Sequence, residues 1–99
     1  MFAHLGTFTI EADVRHCLDL AAAALRRYGL DAWFPPDDGE FVIVGGDDRV
    51  AVQVSCAPVQ DATWVAVVGY STDAAVAEYG RNAIRAHMTN PASPPLPPP

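Results

Sequence analysis

The chain has no lysine, only two cysteines and no apolar run long enough to cross a bilayer. Each shortage removes a class of function. Its six basic residues are all arginine and stand against twelve acids, giving a formal charge of −6. Neutralising phosphates takes clustered cations, so neither DNA nor RNA is an expected partner. The longest uninterrupted apolar stretch, Leu20–Leu25, falls far short of the roughly 20 residues that span a membrane, and no membrane partner is expected. Met1–Gly6 carries no basic leader or cleavage signal for export, which makes the cytoplasm the expected location.

Catalytic and metal chemistry is equally thin. There is no Cys-x-x-Cys or His-x-x-x-His pair; His16 and Cys17 are neighbours on a helix and point about 100° apart. No metal site or cofactor is expected. Cys17 and Cys56 both fall in phase with apolar stripes and are predicted to be buried, inert free thiols. Ser55, Ser71 and Ser93 lack a nucleophile-elbow context, and Gly45-Gly46 opens onto Asp47-Asp48, where a phosphate would be repelled. The acids Asp37, Asp38, Glu40 and Asp61 gather at one end of the predicted sheet, but without the alternating ligands of a calcium loop. Their expected role is to keep hairpin tips soluble. No catalytic residue is assigned, and an enzyme is the less favoured reading.

What is present is a consistent pattern of elements. Residues 2–10 alternate as a half-buried strand, with Phe8 and Ile10 opposite Thr7 and Thr9. From Ala12 to Tyr28 the positions Val14, Cys17, Leu18, Ala21 and Leu25 recur at helical spacing, and Gly29 supplies a left-handed stop. Four strands are then predicted at Leu30–Phe34, Glu40–Val44, Val50–Cys56 and Thr63–Tyr70, separated by turns at Pro35–Gly39, Gly45–Asp48 and Pro58–Ala62. A second helix follows from Asp73 to Met88, burying Ala77, Gly80, Ala83, Ile84 and Met88, with Ser71 or Thr72 placed to accept a first-turn hydrogen bond. Residues 1–90 therefore form one α+β domain, and the proline-rich tail 91–99 is predicted to be extended and solvated. Pro94-Pro95-Leu96-Pro97 resembles ligands of WW and SH3 domains, a short motif for which an unstructured chain end is the preferred explanation.

The order β-α-β-β-β-β-α implies a single five-stranded, mostly antiparallel sheet with both helices on one face and the first strand free to pair with the fifth. Two helices cannot cover both faces of such a sheet. The charge imbalance lies between the helices, where Asp31, Asp37, Asp38, Glu40, Asp47, Asp48 and Asp61 face Arg49 alone. The predicted function is a small acidic, non-enzymatic protein–protein interaction module. It would be a homodimer or bind a protein partner through the open sheet face, where Ala51, Gln53 and Ser55 would allow close approach and Trp64 and Tyr70 would be anchors. Immunity, antitoxin and phage accessory proteins share this size and charge. The alternative is a small-molecule binding domain or small enzyme whose pocket is lined by Trp33, Trp64 or Tyr70.

Overall fold

The computed structural model describes residues 1–34 and 41–98. Its elements are β1 (Phe2–Ile10), α1 (Val14–Arg27), β2 (Asp31–Phe34), β3 (Val42–Gly46), β4 (Ala51–Val59), β5 (Ala62–Ser71) and α2 (Ala74–Thr89). The predicted turn at Pro35–Gly39 and the acids Asp37, Asp38 and Glu40 lie outside the described residues.

Each helix starts on an aspartate. The Asp13 carboxylate accepts the His16 N–H at 2.8 Å, and Asp73 accepts the N–H groups of Ala75 and Val76. Such caps satisfy donors that the first turn cannot pair within the helix. Ser71, expected as a cap, acts one step earlier: its hydroxyl donates to Arg49 O and accepts the Asp73 N–H, tying β5 and the β3–β4 turn to the start of α2. At the other end of α1, Gly29 adopts a φ of 71°, which returns the Leu30 N–H to the Leu25 carbonyl.

The strands run in the order β1-β5-β4-β3-β2, with every neighbouring pair antiparallel. The first strand therefore pairs with the fifth, and the α+β architecture follows the sequence pattern. Helix α2 packs on β5 and β1, and α1 packs on β4, β3 and β2. The core lies between this helix layer and one face of the sheet: Val52, Val54, Val65 and Val67 meet Leu25 and Ile84, all fully buried. Buried Thr63 donates its hydroxyl to Ala12 O at 2.7 Å and so pins the β1–α1 connection.

Three expectations need correction. Gly45-Gly46 does not turn; both glycines are in β3, against the Asp31 carbonyl and under the Trp33 ring, where a side chain would collide. The turn falls at Asp47, whose carboxylate accepts the N–H groups of Arg49 and Val50 while its own N–H donates to Val50 O. Burial pushes the Asp47 carboxyl up, but those backbone bonds and the Arg49 guanidinium outweigh it and hold its pKa below the usual value. That acid is a turn-former.

Cys17 and Cys56 are buried as expected, but they are not free thiols: they form a disulfide, with Cα atoms 6.3 Å apart. The same in-phase positions that buried both residues place α1 directly on β4, within bridging distance. Disulfides are uncommon in a reducing cytoplasm, so the bond gives no support to the location expected from the N-terminus.

The tail is solvated along most of its described length, but it is not free: Ser93 and Leu96 are half-buried and its backbone is tethered. Residues Pro91–Pro98 return over the helices and are held there at Pro91, Ser93 and Leu96 by Arg27, Tyr28 and Tyr79. A proline run offers no backbone N–H to a sheet or helix, yet its carbonyls remain acceptors, and the helix layer supplies donors.

Candidate functional site

The alternation of β5 decides which face carries which residues. Thr63, Val65, Val67 and Ser71 are buried under the helices. Trp64, Ala66, Val68 and Tyr70 therefore stand on the uncovered face. The register extends this face in rows across the sheet. Ala3, Tyr70, Ala51 and Gly46 form one row, and Leu5, Val68, Gln53 and Val44 the next. Thr7, Ala66, Ser55 and Val42 follow, and then Thr9, Trp64 and Ala57.

All five residues expected at an interface, Trp64, Tyr70, Ala51, Gln53 and Ser55, are thus brought onto one face. Their neighbours from β1 were not foreseen, Leu5 above all, which is 62% exposed. The Thr7/Thr9 alternation held the signal, because it puts Leu5 on the same side of the strand. Trp33 joins from β2, its ring over Gly46, and is 47% exposed; Trp64 is 40% exposed and Val42 37%.

None of the side chains that these rows take from β1, β5, β4 and β3 carries a charge, on a chain whose formal charge is −6; the register adds one acid, Asp31 opposite Gly46, at the β2 edge. The arrangement is a surface and not a pocket. Tyr70 and Trp64 are six residues apart on one strand, about 20 Å, so they cannot line one small cavity. The described concavities lie elsewhere: open depressions beside Glu11, Gln60 and Asp61, by His16 and Met88 and by Gly29 and Asp31, and a narrower space of about 120 Å³ lined by Tyr28, Val50, Val76 and Tyr79. Ligand sites for small molecules commonly exceed about 300 Å³. Among the described residues, no three His, Cys, Asp or Glu side chains gather to hold a metal ion.

The helix layer holds the other organised polar cluster. The Arg27 guanidinium donates to Pro91 O at 3.1 Å, to Ser93 O at 2.6 Å and to His87 Nδ1 at 3.0 Å. Burial first, and the neighbouring Arg27 charge second, hold the His87 pKa below its ordinary value. The folded state therefore favours neutral imidazole. Its contribution to stability is full above about pH 6.5, the unfolded value, and is lost as pH falls through the lower folded value. Between pH 8 and 5.5 the melting temperature of the native chain should fall more steeply than that of His87→Asn. Equal slopes would show that Arg27 and His87 are not coupled as described.

Comparison with protein-family models, with curated proteins and with solved structures finds no match for this chain.

Proposed function

We propose that the protein is a non-enzymatic association module that pairs with a second copy of itself through the uncovered sheet face. The observation that carries this reading is that the face is free of charge from β1 to β3, with Asp31 only at its β2 edge. An interface centre works best without charged groups, because an unpaired charge taken out of water costs several kcal/mol. A second acidic chain is tolerated there because β1, β5, β4 and β3 bring no acid into the four rows. Size also suits a self-pair. Strands about 4.8 Å apart and residues spaced about 3.3 Å give a face roughly 24 Å on each side. Two such faces would bury about 1,200 Å², at the lower end of specific interfaces. Trp64, near one end, and Trp33 and Tyr70, near the other, are the aromatic anchors.

Sedimentation equilibrium tests the proposal. The native chain should be dimeric at about 50 μM, and Trp64→Glu or Leu5→Glu should weaken association at least ~10-fold. Both side chains are exposed in the single chain, so a charge there should leave the melting temperature of the monomer nearly unchanged. A native chain that stays monomeric at several hundred micromolar, about ten times that concentration, would end this reading.

A further inference from the structure

The helix layer contains a groove that reads extended backbone, and this chain's own tail lies in it. Tyr28 closes α1 and Tyr79 projects from α2; their rings meet edge-on, with centroids 6.2 Å apart. The two hydroxyls bracket a single residue. The Leu96 N–H donates to the Tyr28 hydroxyl at 3.0 Å, and the Tyr79 hydroxyl donates to Leu96 O at 2.9 Å. Burial, with Tyr28 beside it, pushes the Tyr79 phenol up, so it remains a donor at neutral pH. Leu96 is the sole residue from Pro94 to Pro99 with a backbone N–H to offer, and it occupies the place where a donor is read. Arg27 takes the carbonyls of Pro91 and Ser93 upstream, and Pro98 lines the small cavity between the helices downstream, against Val76 and Ala83.

We infer that this groove is a binding site for proline-rich segments of the Pro-Pro-Leu-Pro type, with the tail as its resident ligand and an external segment of the same kind as its exchange partner. The chemistry fits that class. Proline fixes an extended left-handed backbone that needs little further ordering, and its carbonyls are free acceptors because the ring nitrogens donate nothing. Aromatic grooves exploit both properties. Exchange is feasible because the tail is held by side chains and is not a strand woven into the sheet. The chain thus carries both a proline motif and its receptor, and the tail acts as an internal competitor. The groove lies on the helix side, opposite the uncovered sheet face, so this inference does not depend on the self-association proposed above.

The test uses a full-length variant with Pro94→Ser, Pro95→Gly, Leu96→Ser, Pro97→Gly and Pro98→Ser, which frees the groove without shortening the chain. The probe is a fluorescein-labelled peptide of residues 90–98. Its anisotropy should saturate on this variant with a Kd between about 10 and 500 μM. On the native chain binding should be at least ~10-fold weaker, since a tethered tail competes at a millimolar effective concentration. Adding Tyr28→Phe and Tyr79→Phe to the freed variant should weaken binding about 10-fold by removing two hydrogen bonds. A peptide with every proline replaced by alanine should not bind. The inference is overturned if the folded variant shows no saturation at about 2 mM peptide, if the phenylalanine changes leave binding intact, or if the alanine peptide binds equally well. Should the freed variant not melt cooperatively, the tyrosine ring resonances of the native chain are followed instead. No displacement by about 5 mM peptide would then overturn it.

Discussion

Replacing Cys17 and Cys56 together by alanine should lower the melting temperature by about 20 °C, the largest effect expected of any pair of substitutions in this chain. The disulfide joins positions 39 residues apart, between the first helix and the central strand β4. Closing a loop of that length removes unfolded-chain entropy equivalent to about 4 kcal/mol. A domain of this size has a total stability on the order of 5–13 kcal/mol, so the crosslink would be a third or more of it. Both cysteines are fully buried, which shields the bond from reductant until the domain opens. Thermal melts of the native and double-alanine chains, with thiol titration of the native protein, decide the matter. Two thiols titrating in the folded protein, or unchanged melting of the double variant, would contradict the crosslink.

Gly69→Ala should cost about 3 kcal/mol, the largest effect expected of a single methyl group. Gly69 is the third residue from the end of β5, directly beneath α2. A Cβ added there would overlap the Ala77 carbonyl oxygen and press on the Arg81 backbone N. These atoms belong to backbone, so no side chain can swing aside, and the helix must rise from the sheet or the strand must bend. Ala77 is itself fully buried at the contact. Chemical denaturation reads the loss directly, and a Gly69→Ala chain as stable as its parent would mean that α2 does not approach β5 so closely. The adjacent uncovered-face substitution Val68→Ala is the control, with a smaller expected loss because Val68 is only partly buried.

Much of the fold was legible because local signals agreed with one another. The buried positions of α2 fell on the helical stripe read from residues 77 to 88, and β4 on a strict two-residue alternation. The aromatic side chains of β5 were harder, since that strand is apolar on both faces and periodicity cannot choose between them. Register chose: Val65 opposite Cys56 and Val67 opposite Val54 belong to the buried face, leaving Trp64 and Tyr70 outside. What sequence could not supply were contacts between distant segments. Gly45-Gly46 looked like a turn because close backbone approach and turn formation both favour glycine. The disulfide depended on how α1 sits on β4. The tail seemed featureless because polyproline has no periodicity, and its partners Arg27, Tyr28 and Tyr79 are more than ten residues away in sequence.

The two margins of the sheet are unlike. Strand β1 runs nine residues, Phe2–Ile10, with no proline and no acidic or arginine side chain, and it has a strand partner on one side only. At the opposite margin β2 is four residues long, and its register with β3 shifts between Ala32 and Phe34. Short, irregular edges resist added strands, and long regular ones accept them. Among the described residues, β1 is therefore the margin more receptive to an added strand. Antiparallel pairing of one β1 with another would consume both receptive margins and turn only the blunted ones outward. Lengthening of the sheet would stop at a closed pair, whereas a chain with two receptive margins could continue into a fibre.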